Sequence, residues 1–198
     1  MIPRNLQITL ALLILSIVGA GVYILYLKSE AEKVVPVGVE NITPVAAPLT
    51  GPKVNFKLVI AYDEDGLVRV RDENESLPDE PSARAQELLR VLLREYMQKP
   101  TPHTLGDGSD IHSVYIVPGG TCVVDLSANF AANHPSGALV EQLSVVSIAG
   151  TLILNFPQIK KVKFLVDGHE RETLAGHVDL SPAYDSDTIT QMMKELQY

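Results

Sequence analysis

Few side chains in this 198-residue chain combine the types and spacing that chemistry needs. Asp125 and Ser127 stand two apart in Cys122-Val123-Val124-Asp125-Leu126-Ser127, and Asp125 with Glu141 would form a carboxylate pair if a strand-to-helix junction brought them together. A serine hydrolase also needs a base. No Gly-x-Ser-x-Gly elbow surrounds Ser127, and the five histidines fall in turns or at strand edges without an identifiable partner. His103, Asp107 and Asp110 share one loop and have metal-ligand chemistry, but the same residue types are ordinary in loops. Asp63-Glu64-Asp65-Gly66 lacks the further ligand spacing and the closing Glu of a calcium loop, and reads as a turn. Cys122 is the one cysteine, which excludes an intramolecular disulfide, a CxxC redox pair and a thiolate zinc cluster. In its apolar string it reads as a small buried hydrophobe. No catalytic residue, cofactor or metal is assigned.

The elements around these residues alternate between hairpins and helices. Lys53 to Tyr62 places Val54, Phe56, Leu58 and Ile60 on one face, the period of a half-buried strand, and the acidic turn returns through Leu67 to Arg71. Pro81-Ser82 opens a helix to about Gln98 with Ala85, Leu88, Leu89, Leu92 and Tyr96 on one stripe. Lys99 to Asp110 is a loop. Ile111 to Val117 and Thr121 to Leu126 flank Pro118-Gly119-Gly120 as a second hairpin, and Asp125 and Ser127 are placed to bond the backbone of the turn that follows.

A second helix is expected from Ser136, as N-cap, to Pro157. It is apolar around most of its circumference, with a narrow polar seam of Glu141, Ser144, Ser147, Thr151 and Asn155. Either the sheet and the first helix flank it together, or a partner covers the rest. The seam's charge and hydroxyls argue against a membrane span. Ile159 to Val166 is a strand, Asp167-Gly168 a hairpin turn returning through His169 to Leu174, and Asp185 to Tyr198 a short helix with Ile189, Met192, Met193 and Leu196 as its apolar stripe.

Ahead of this domain, Asn5 to Leu27 carries no side chain that is charged at neutral pH and is bracketed by Arg4 and Lys28. At 1.5 Å per helical residue the run reaches about 34 Å, enough to cross a bilayer core. A cleavable signal is the competing reading, with Val18-Gly19-Ala20 as its site, but the apolar run continues to Leu27 and Tyr23 and Tyr26 fit an interfacial anchor. The expected organisation is a transmembrane anchor (1–28, membrane contact through 6–27), a Pro-rich linker (29–52), a domain (53–184) and a C-terminal helix (185–198). The 24 acidic against 16 basic residues give a net charge of −8, and with no basic cluster beyond Lys160, Lys161 and Lys163 the footprint of a nucleic-acid binder is missing.

An ordered set of motifs runs through the domain: Cys122-Val123-Val124-Asp125-Leu126-Ser127, Phe130, Glu141 and the helix to Thr151-Leu152, Asn155-Phe156-Pro157-Gln158-Ile159-Lys160-Lys161-Val162, and Leu165-Val166-Asp167-Gly168. From about Val54 to Pro182 the chain resembles the GerMN (sporulation and spore germination) domain family. The resemblance implies an exported bacterial α+β domain, with two helices packed on a β-sheet of hairpin-paired strands and a fold similar to ring-building modules of envelope assemblies. It implies no known catalytic residues and no cofactor. Spore germination proteins of that family carry a lipid anchor and two tandem copies, whereas this chain has an apolar anchor and one copy.

The function expected is a non-catalytic interaction module tethered to the bacterial cytoplasmic membrane by a single pass, its domain extracytoplasmic, docking to envelope proteins or to itself. The alternative is a sensor that binds a cell-wall fragment or small ligand. The candidate interaction residues are Glu141, Ser144, Ser147, Thr151 and Asn155 of the seam, with Ile189, Met192, Met193 and Leu196.

Overall fold

The computed structural model describes Tyr23 and residues 53–197. The expected anchor and linker otherwise lie outside the described residues. Lys53–Tyr62 forms strand β1, paired antiparallel with β2, Leu67–Ser76; its side chains alternate between exposed and buried as far as Leu58, and both faces are buried from Leu58 to Ala61. The second strand outruns its apolar start, because backbone pairing continues through Asp72 to Ser76 opposite Lys57 to Lys53. Helix α1, Pro81–Met97, begins where the Glu80 carboxylate accepts from the Ser82 and Ala83 amides, at 2.9 and 2.5 Å. Its predicted stripe is buried.

Strands β3 (Ile111–Val117) and β4 (Thr121–Leu126) form the second hairpin, and β4 then pairs in parallel with β5, Lys161–Val166. A parallel step needs a crossover, supplied here by α2 (Ala128–Ala132) and α3 (Ala138–Asn155). The short β6, Tyr184–Asp185, joins the far side of β5, and α4, Ser186–Glu195, follows. The α+β class holds, with the strands divided between a two-stranded sheet, β1-β2, and a four-stranded sheet ordered β3-β4-β5-β6.

Register assigns the faces of the larger sheet. The rows Ile111-Leu126-Val166, Val114-Val124-Phe164 and Ile116-Cys122-Val162 face the core. The opposite rows are Ser113-Asp125-Leu165, Tyr115-Val123-Lys163 and Val117-Thr121-Lys161, where Tyr115 is 56% exposed. Burial pushes the Cys122 thiol up to about 12, which leaves it an inert core residue.

Helix α3 packs against β1, α1 and α4, which accounts for its apolar circumference. By length and composition it could cross a membrane, but most of it is buried inside the domain. Gly150 lets the elements approach: a Cβ there would lie 2.7 Å from Met193 Sδ and 3.2 Å from Val59 Cγ2. The C-terminal stripe docks on its own domain, with Ile189 and Met193 buried and Met192 and Leu196 packed at the core margin.

Three local expectations fail. Asp167-Gly168 does turn with positive φ (53° and 74°), but 169–174 makes no returning strand beyond an isolated Val166–His169 bridge. The edge of β5 at Lys161 and Val162 goes instead to β6. Nor does Ser136 cap α3, because Gly137 holds the N-cap position and the Ser136 hydroxyl donates to the Ala175 carbonyl at 3.1 Å. Finally, Asp125 does not bond the turn after it; its Oδ1 accepts from the Gly168 amide at 2.8 Å, while Ser127 Oγ does accept from Phe130 N–H as expected.

Candidate functional site

The polar seam of α3 lies inside the domain and faces the edge of β1. Residues four apart on a helix rise about 6.0 Å and residues two apart on a strand about 6.6–6.8 Å, so one stripe of the helix keeps step with every second residue of the strand. Asn155 Oδ1 accepts from the Lys57 amide at 2.9 Å while its Nδ2 donates to the Lys57 carbonyl at 2.7 Å, the pair of bonds a neighbouring strand would make. Thr151 Oγ1 accepts from the Val59 amide at 2.9 Å, and Ser147 Oγ donates to the Val59 carbonyl at 2.6 Å. The Ala61 amide donates to the Tyr96 hydroxyl at 2.9 Å, which in turn donates to Ser147 Oγ at 2.5 Å. Asp63 N–H ends the series on the Pro102 carbonyl at 2.9 Å. An exposed strand edge is a template for aggregation, and here helix side chains close it. Glu141, Ser144, Ser147 and Thr151 are all buried. These four residues therefore offer no docking surface in the folded domain, because their polar groups are already spent inside it, on backbone and, for Ser144, on two imidazoles.

Beyond Ser147 the seam meets two histidines. Asp63 Oδ1 lies 2.5 Å from His103 Nδ1, and His103 Nε2 lies 2.6 Å from Ser144 Oγ. Asp63, His103 and Ser144 thus have the contacts of an acid-base-nucleophile set, which the sequence hid because the members are 40 and 41 residues apart. Burial pushes the Asp63 carboxyl up, but the bonds from His103 and the Thr104 amide outweigh it and the net shift is downward. The hydroxyl is closed on its other side. His134 Nε2 also lies 2.6 Å from Ser144 Oγ, and its Nδ1 is 2.7 Å from the Pro135 carbonyl. Burial lowers the His134 imidazole below its usual range. Tyr96 meets His103 edge-on at 4.9 Å, Phe130 stacks on His134 at 5.8 Å, and Ser144 is 2% exposed. A cleft of about 350 Å³ nearby is lined by Asp63, Gly137, Ala138, Leu139, Val140 and Leu143, without Ser144 or either histidine.

Glu141, one turn before Ser144, is a buried carboxylate with five donors. Oε2 accepts from the amides of Ala175, His177 and Val178 at 2.9–3.0 Å, and Oε1 from the Gly137 amide at 3.2 Å and His177 Nδ1 at 2.9 Å. Gly176, at φ 116°, gives the loop the left-handed-region backbone with which it wraps the carboxylate. Burial pushes the acid up, but the Val178 and Ala175 amides and His177 pull it further down, to about 2.

The remaining candidates are dispersed. Asp125 serves the Gly168 amide while Glu141 serves 175–178, so each carboxylate is committed to a different stretch of backbone. Of the loop trio, His103 is buried with Asp63 and Ser144, whereas Asp110 Oδ1 accepts from the Ile111 amide. Among the described residues no three His, Cys, Asp or Glu side chains are grouped to hold a metal ion.

The profile of the Germane family, described as sporulation and spore germination, matches residues 58–172. The chain belongs to this family. The match covers the β1–β2 hairpin from Leu58 through the turn after β5, including Asp63, His103, His134 and the whole of α3. Among solved structures, the Germane domain is similar to the tandem GerMN domains of the sporulation protein GerM from Bacillus subtilis, at 25% identity and a TM-score of 0.52. That match covers 67% of this chain and 46% of that one, so the chain spans about half the tandem. The first GerMN domain of the same protein matches at 24% identity and a TM-score of 0.50, over 68% of this chain and 98% of that chain, a likeness of fold. No curated protein matches the sequence.

Proposed function

We propose that this Germane-family chain is a membrane-tethered, extracytoplasmic module of the bacterial envelope that works by docking to an envelope protein or to a second copy, without catalysis. Its setting is sporulation, germination or another envelope assembly. The observation that carries the reading is the division of labour between the sheet faces. Three rows of the larger sheet build the core, and the opposite rows leave Tyr115 and Val117 exposed and Val123 and Leu165 half-buried, flanked by Lys161 and Asp125. Aromatic and aliphatic groups rimmed by charge are the composition of protein-contact surfaces. The absence of catalysis is supported by Ser144, whose hydroxyl is held between two imidazoles and kept from the neighbouring cleft.

A photo-cross-linking residue at Tyr115 of the full-length protein, in its bacterial host, is expected to capture one identifiable envelope protein or a second copy. Leu165→Glu on the same face should abolish the capture. Equal capture from exposed Lys53, or none from Tyr115, would refute the docking face.

A further inference from the structure

The hydrogen bonds around Ser144 require one more proton than an Asp63 carboxylate, the serine and two neutral imidazoles supply. The Pro135 carbonyl only accepts, so His134 carries its proton on Nδ1 and turns a bare Nε2 toward Ser144. Asp63, held as a carboxylate, also only accepts, so His103 carries a proton on Nδ1. With both rings neutral, two Nε2 lone pairs would face one hydroxyl that has a single proton. Yet both Nε2···Oγ separations are 2.6 Å, hydrogen-bond length.

We propose that Asp63, His103, Ser144 and His134 form a single-proton latch: His103 as imidazolium donates to Ser144 Oγ, the hydroxyl donates to His134, and loss of that one proton releases the histidine loops from α3. The excess proton sits on His103, which has the Asp63 carboxylate at its other nitrogen, whereas His134 has only a neutral carbonyl. When it leaves, the serine hydroxyl satisfies one ring and the other Nε2 is stranded in the interior, a state that favours opening. The elements joined are the β1–β2 turn through Asp63, the loop after α1 through His103, the loop after α2 through His134, and α3 through Ser144. Other titratable groups facing the pair are Tyr96 from α1, its hydroxyl bonded to Ser147 and the Ala61 amide, and Glu141 from α3, held by His177 and backbone amides. Neither is hydrogen-bonded to Ser144.

Burial keeps His134 neutral in the fold, whereas the unfolded chain protonates it below about pH 6.5, so the share of stability that depends on its bare Nε2 is present above that pH and falls away as the pH drops through the lowered folded value.

The test is histidine-selective ¹⁵N NMR of the full-length protein, with amide exchange of residues 101–105 and 133–136. At pH 6, His103 should carry two ring protons and His134 one, on Nδ1. Raising the pH should remove one proton from His103 and, in the same transition, speed exchange in both loops at least tenfold. In His134→Phe, which deletes the second acceptor, deprotonation of His103 should no longer be coupled to exchange. Two neutral or two charged rings at pH 6, deprotonation without loop release, or coupling that survives in His134→Phe would each overturn the latch.

Discussion

Glu141→Gln isolates the carboxylate that ties α3 to the 175–178 loop. The amide is the same size but neutral, and its NH₂ would confront the Gly137 amide, donor against donor, while the other oxygen keeps the Ala175, His177 and Val178 amides. The magnitude follows from linkage. The native carboxyl titrates at about 2 against an ordinary 4.5, and at about 1.4 kcal/mol per pH unit the charged form contributes about 3 kcal/mol near neutrality. Because the folded value is the lower one, this contribution is complete above about pH 4.5, about half gone at pH 3, and lost as the pH passes through 2. Urea unfolding of the full-length protein and its variant should therefore differ by about 3 kcal/mol at pH 7 and about 1.5 kcal/mol at pH 3. Amide exchange at Ala175, His177 and Val178 should accelerate in the variant. A difference below about 1 kcal/mol at pH 7, or the same difference at both pH values, would refute the reasoning.

Thr151→Val removes the acceptor for the buried Val59 amide at nearly constant volume, and should cost about 1–3 kcal/mol in denaturant unfolding, with faster exchange of that amide. Ser147→Arg would bury an unpaired cation against β1, and circular dichroism should show loss of the folded domain rather than a folded, non-docking variant. Gly150→Val would drive branched carbon into Met193 and Val59, costing about 1–3 kcal/mol in the same unfolding assay. Gly150→Ala should cost much less, since Met193 Sδ lies near the end of a flexible side chain and the helix gains propensity.

The strands and helices were legible in the sequence where one side of an element is buried. Period-two alternation identified β1 and the β3–β4 hairpin, and the 3.6-residue stripe identified α1. The seam of α3 was visible as a stripe, but periodicity shows only that small polar residues share a face. What that face meets is decided by β1, 88 to 98 residues earlier in the chain, and only the fold brings Val59 and Lys57 to it. His103 was hidden for the same reason, since a histidine just after Pro102 in a loop carries no local sign of Asp63 or Ser144. The Asp167-Gly168 turn was readable from dihedral chemistry; the fate of the chain after it was not, because β6 competes for the same strand edge from further along.

On the proposed reading, Asp63, His103 and Ser144 have the contacts of a hydrolase centre but serve architecture. Serine-directed fluorophosphonate labelling of the native full-length protein, read by peptide mass, tests this most directly. The account predicts that Ser144 stays unmodified in the folded protein, its hydroxyl closed between His103 and His134. Stoichiometric modification of Ser144, abolished by His103→Gln in a variant that remains folded, would contradict it.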